Sequence, residues 1–190
     1  MAPRVARGDR LLRPARHVDR LFDVEGWSLA VEGEPSRGLE TLGRGLARYR
    51  GCGVELGLTR FLADLAETAM LAGRSAEALA AAEDGLALAA RTGEGAHVAE
   101  LHRLRGEILL RGGDDGREAE ACFRRALALA SRQRARSLAL RAALALARLR
   151  GCTRSTRRVL DDVCREFRDG SATRELREAR ALLDSPVRGP

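Results

Sequence analysis

Four glycines punctuate this sequence at nearly even intervals: Gly33, Gly73, Gly113 and Gly151, separated by 40, 40 and 38 residues. Each ends an apolar pattern with helical spacing, and each is followed by a short polar stretch and a second amphipathic run. The repeating unit is therefore helix, turn, helix. Glycine at a helix end supplies the left-handed backbone that stops the helix at no steric cost. One helix pair cannot bury its apolar faces alone, so pairs repeating at this period must stack side by side. The expected fold is all-α, an α-solenoid of about four antiparallel helix pairs with a C-terminal capping helix.

The individual stripes support this. Leu58, Phe61, Leu62, Leu65, Ala66 and Ala69 recur at three- and four-residue spacing before Gly73. Ser75 is the expected N-cap of the next helix, which buries Ala78, Leu79, Ala82, Leu86 and Ala89 and closes at Thr92-Gly93. In the third repeat Leu101, Leu104, Ile108 and Leu109 form the first stripe. Asp115 and Glu118 are spaced as a capping box, and Ala119, Phe123, Ala126, Leu127 and Ala130 form the second stripe. The fourth repeat runs from Leu138 to Leu149, breaks at Gly151-Cys152 and resumes with Val159, Leu160, Val163 and Phe167. The first repeat uses Leu21, Phe22, Trp27 and Val31, then Leu39, Leu42 and Leu46. A closing helix is expected over roughly Thr173 to Leu183. Composition agrees: 33 alanines and 30 leucines stand against nine valines and one isoleucine, which favours helix over sheet. The expected organisation is an arginine-rich, disordered start over residues 1–18, a repeat domain over 19–184 and a short tail over 185–190.

Ala78, Gly85, Ala119, Phe123 and Ala126 are spaced as in the second helix of a tetratricopeptide repeat, which the chain resembles with a longer period. From Trp27 onward it also resembles the C-terminal helical repeats of large bacterial multidomain regulators. The strings that carry this likeness are Ala99 to Leu110, Ala119 to Ala130, Gln133 to Leu138, Leu140 to Ala143 and Leu146 to Leu149, with Gly170, Thr173, Leu176 and Ala179 at the end. In that family an adenylate/guanylate cyclase-like or DNA-binding module and a P-loop ATPase module precede the repeats. Neither has a counterpart in these 190 residues. The resemblance implies a non-catalytic module for protein–protein or intramolecular contact, lying in the C-terminal part of a signalling or transcriptional regulator. It also implies a groove lined by the first helix of each pair. The groove candidates are then Arg20, Asp23 and Trp27; Arg60, Ala63, Glu67 and Met70; Glu100, Arg103 and Glu107; and Arg141 and Arg148. Glu100, Arg103 and Glu107 are also spaced to pair with one another along a helix.

Several chemistries are excluded. All 34 basic residues are arginine, and neither lysine nor asparagine occurs. That removes a P-loop lysine, a Schiff-base nucleophile and the lysine–asparagine clamp with which some tetratricopeptide proteins hold chaperone tails. Gly51-x-Gly53-x-x-x-Gly57 lacks the phosphate-binding spacing and reads as a connecting loop. His97 and His102 are five apart and point to different helix faces, so with Glu100 they make a poor metal set. No GxSxG elbow is present. The reading is therefore no enzyme, no cofactor and no metal.

Cys52, Cys122, Cys152 and Cys164 are far apart and read as reduced thiols on packed helices. The longest apolar stretch is Ala142 to Ala147, far short of the ~18 residues a membrane span needs. No secretory apolar segment follows the early arginines, so a cytoplasmic location is expected. Arg132 to Arg158 contains nine arginines and no acid, and this run is the basis of an alternative reading as a nucleic-acid-contacting accessory domain. No aromatic residue lies in the run to stack on a base, and solvated or internally paired arginines account for it more simply.

Overall fold

The computed structural model describes residues 24–51, 53, 55–167 and 173–185. The expectations for residues 1–18, Arg20, Leu21, Phe22, Asp23, Cys52, Gly170 and the last five residues lie outside that set. Helix α1 is helical over 24–31, and the chain continues through α2 (Pro35–Gly51), α3 (Leu58–Leu71) and α4 (Ser75–Thr92). Then come α5 (Val98–Arg111), α6 (Arg117–Arg132), α7 (Arg136–Arg150), α8 (Arg154–Cys164) and α9 (Arg174–Asp184). No strand occurs among the described residues. The helices fall into two compact units, residues 1–97 and 98–190.

The turns explain the period. Gly33, Gly73 and Gly113 all have positive φ, at 100°, 74° and 90°. The residue after each glycine donates its N–H back to the helix it leaves: Glu34 to Leu29, Arg74 to Ala69 and Asp114 to Leu109. This is the wrapped C-terminal cap that a left-handed residue makes possible. The turn between α6 and α7 is built the same way, with Ala135 N–H on the Ala130 carbonyl at 2.9 Å. Its left-handed residue is Arg134, at φ 54°, the one non-glycine of positive φ among the described residues. A break with no glycine was not visible in the sequence.

The N-termini differ from expectation in two places. Ser75 is the first residue of α4 rather than its cap; Arg74 holds that position with no side-chain capping bond. At α6 the capping carboxylate is Asp114, which accepts from Gly116 N–H at 3.0 Å and Ala119 N–H at 3.3 Å. Asp115 instead accepts from Arg117 N–H and pairs with the Arg117 side chain. Thr153 and Thr173 cap α8 and α9 by accepting from the N–H three residues on.

In the first unit the core joins Leu42, Leu46, Tyr49, Leu58, Phe61, Leu62 and Leu88. The Tyr49 and Phe61 rings pack with centroids 6.3 Å apart, and the Tyr49 hydroxyl donates to the Leu56 carbonyl. On α4 the expected Ala78, Ala82 and Ala89 are buried, but Ala81 and Leu88 join them inside while Leu79 and Leu86 are only half-buried. In the second unit α7 packs against α5, α6, α8 and α9. That is why Ala142 to Ala147 is an unbroken apolar run, and all six of its residues are buried. Leu140, Leu144, Leu160 and Leu176 form one cluster, and Phe123 packs with Ala119, Ala145 and Leu146 in another.

Helix α5 also carries a titratable side chain inside this unit. Burial, with Arg125 and Arg105 nearby, pushes the His102 imidazole down to about 4, and its Nδ1 is buried without a hydrogen bond. The folded chain thus resists a proton that the unfolded chain accepts near pH 6.5. Stability contributed by neutral His102 is present above that value and falls as pH drops from 6.5 toward 4. Replacing His102 with Leu should flatten the loss of melting temperature between about pH 7.5 and about pH 5, read by thermal denaturation. A slope identical to that of wild type would show that His102 does not titrate in the fold.

Candidate functional site

The second unit packs α7 against both α5 and α9, and charged residues of these three helices pair along and across them. Arg103 donates from Nε and Nη2 to Glu100 at 3.1 and 2.7 Å, and Nη1 lies 2.6 Å from Glu107. Arg141 Nη1 donates to Glu100 at 2.8 Å across a separation of 41 residues, and its Nε lies 3.6 Å from Glu175. Arg148 grips Glu178 with two parallel bonds of 2.7 Å. The repeat period thus stacks opposite charges from neighbouring pairs. Mutual pairing is the fate of these residues.

Burial sharpens the consequence. The Arg103 and Glu100 side chains are only 8% and 10% exposed. Burial pushes the Glu100 carboxyl up, but the guanidiniums of Arg103 and Arg141 outweigh it and hold it below the usual carboxylate range. The Glu178 carboxyl is held down by its hydrogen bonds from Arg148. Such pairs add little net stability but are costly to break. Glu100, Arg103, Glu107, Arg141 and Arg148 therefore serve first as mutual braces between helices. Glu175 and Glu178 complete the set; the signal that could have found them was opposite charge near the repeat spacing. Glu100 is committed to arginines, and no group of three metal-binding side chains occurs among the described residues.

The first unit is different in character. The Trp27 indole N–H on α1 donates to Glu67 on α3 at 3.0 Å, which fixes the register of the two helices at 40 residues. Trp27 remains 38% exposed, with Val24 at 52% and Val31 at 59% along the same face of α1. The residue 40 beyond Val31 is Leu71 on α3, itself 43% exposed. Arg60 sits one turn from its ion-pair partner Asp64. Met70 and Ala63, expected on the open face, are each 4% exposed and belong to the core. Where a stripe of apolar residues is broad, spacing alone does not say which edge is open.

The basic run is partly engaged within the fold, four of its arginines by carboxylates. Five of its nine arginines are engaged: Arg136 with Glu166, Arg141 and Arg148 as above, Arg150 with Glu120, and Arg157 with backbone carbonyls of α9 and just beyond it. Cys122, Cys152 and Cys164 are free thiols. No helix among the described residues is long and apolar enough to cross a membrane.

Antiparallel helix pairs closed by left-handed turns at a period near 40 define an all-α solenoid of the tetratricopeptide-like kind. Solved structures agree on the fold. The chain is similar to crystal structures of kinesin-light-chain TPR-like repeats from Podosopora anserina, described as nearly identical repeats. One matches with TM-score 0.67 and 16% identity over 90% of this chain and 84% of that one. A second matches with TM-score 0.63 and 17% identity over 90% and 93%. No protein-family model matches the sequence, and no curated protein matches it.

Proposed function

We propose that the chain is a non-catalytic helical-repeat module that binds a protein partner, or another module of the same regulator, through the α1–α3 face of its first unit. The single observation that carries this is Trp27. Its ring is held in place by the bond to Glu67, yet more than a third of it faces solvent beside Val24 and Val31. A large, pre-oriented aromatic side chain with apolar neighbours is the usual anchor of a protein interface, because it buries much area at little entropic cost. Leu71 extends the apolar patch to the second helix, and Arg60 and Asp64 supply a charged rim. The partner is a segment offering a bulky apolar side chain to the indole. The module is the C-terminal part of a signalling or transcriptional regulator, and the long ordered likeness of residues 99–149 to such proteins supports that context.

Site-specific photo-crosslinking tests the face. A benzophenone residue at Val31 or Leu71 should capture a discrete partner in cells, and the same probe at Ala47 or Ala90, exposed on α2 and α4, should not. Trp27→Ala should abolish the capture from position 71. Equal capture from all four positions, or capture indifferent to Trp27→Ala, would refute the assignment.

A further inference from the structure

We infer that the cleft between α8 and α9 is a binding site for a phosphate chain. The cleft has a volume of about 670 Å³, within the range of small-molecule sites. Arg154, Arg157 and Arg158 line it from α8, and Arg180 lines it from α9, together with Asp161 and Asp184. Arg157 is structural: it donates to the Ser185 carbonyl at 2.8 Å and to the Leu183 carbonyl, tying the end of α9 to α8. The cleft walls are therefore pinned together.

The other three guanidiniums make no hydrogen bond or ion pair among the described residues. This sets them apart from Arg136, Arg141, Arg148 and Arg150 of the same basic run, which all have carboxylate partners. Arg154 and Arg158 stand four residues apart, neighbours on one face of α8. Arg180 closes the cleft from the opposite helix. Of the two acids present, Asp161 is already paired with Arg165. The cleft thus holds surplus positive charge in planar forks suited to tetrahedral oxyanions.

The chemistry also limits the ligand. The described lining contains no aromatic side chain, so a nucleobase would find nothing to stack on. Recognition rests on phosphoryl oxygens, and a chain of phosphates offers oxygens to the guanidiniums of both helices at once. The class is an oligophosphate, either free or as the tail of a nucleotide. This site belongs to the second unit and shares no residue with the α1–α3 face of the first, so either assignment can fail while the other stands.

Isothermal titration calorimetry on the full chain at about 50 mM salt separates the sources, because phosphate contacts are strongest when salt is low. Sodium tripolyphosphate and ATP should bind alike at one site per chain, with AMP weaker by about tenfold for its lost charge-assisted bonds. The Arg154→Gln/Arg158→Gln variant should weaken tripolyphosphate by about a hundredfold, two such contacts being lost. Arg125→Gln/Arg132→Gln removes two exposed arginines of α6 and should leave affinity within about twofold, since it changes charge but not the cleft. Circular dichroism should be unchanged in both variants. No detectable binding, or an equal loss in the α6 control, would overturn the site. So would ATP binding far tighter than tripolyphosphate, or a duplex oligonucleotide binding far tighter than either.

Discussion

Glu100→Ala lowers the stability of the second unit by about 3 kcal/mol, because it leaves buried positive charge without its principal counter-charge. Glu100 accepts two bonds from Arg103 and one from Arg141, and the Arg103 side chain is only 8% exposed. Arg103 keeps Glu107, so the loss sits at the lower end of what breaking a buried pair costs. For a unit of this size the melting temperature should fall by more than about 10 °C. A double variant, Glu100→Leu with Arg103→Met, should recover most of that loss, because a buried ion pair contributes little against well-packed apolar residues. The pH dependence has a definite sign. The folded carboxyl of Glu100 lies below its ordinary value of 4.5, so its contribution is present above that pH and disappears as pH falls through the lower folded value. The gap between wild type and Glu100→Ala should therefore close under acid conditions. A gap that is constant down to about pH 3 would mean that the carboxylate is not the source of the difference.

This network also marks where reading the sequence succeeds and where it stops. Pairing of Arg103 with Glu100 and Glu107 follows from spacing along one helix, which any helical residue obeys. Pairing of Arg141 with Glu100, or of Arg148 with Glu178, depends on how far one repeat slides against the next. No local rule fixes that register. The turns show the same division. Gly33, Gly73 and Gly113 were legible because left-handed backbone selects for glycine, whereas Arg134 occupies the same conformation against its own preference. There the burial of Ala130 and Ala139 on either side imposes the turn. On α4, alanine occurs at so many positions that spacing admits two neighbouring faces, and packing selects the one containing Ala81 and Leu88. Trp27 was legible as a residue of the open face, but its anchoring by Glu67 required the 40-residue register to be known.

Gly38→Ala should detach α1 from the first unit at a cost of about 3 kcal/mol, and the sign of the effect is itself diagnostic. In an ordinary helix interior the same change stabilises by roughly 0.5–1 kcal/mol, because glycine has more conformational freedom to lose. Here a methyl group on Gly38 would collide with the Gly26 carbonyl oxygen and lie 3.1 Å from the Ala30 nitrogen, so the obstacle is backbone that cannot rotate away. Gly26 is equally constrained, with an added carbon falling 2.6 Å from Leu42 Cγ. The two glycines let α1 and α2 approach almost backbone to backbone. Gly43 lies on the same helix with open space around it, so Gly43→Ala is the matched control and should stabilise by roughly 0.5–1 kcal/mol. The chain has one tryptophan, and it sits on α1, so its fluorescence reports this event directly. Emission from Trp27 should move toward that of solvated indole in Gly38→Ala and stay put in Gly43→Ala, as the bond to Glu67 is lost only in the first. The core around Phe61 and Leu62 is built from α2, α3 and α4, so most of the helical circular dichroism should survive. Crosslinking from Leu71 should fall with the fluorescence change, since the proposed anchor leaves the face with α1. An unshifted emission together with a raised melting temperature would show that the α1–α2 approach is looser than the backbone contact requires.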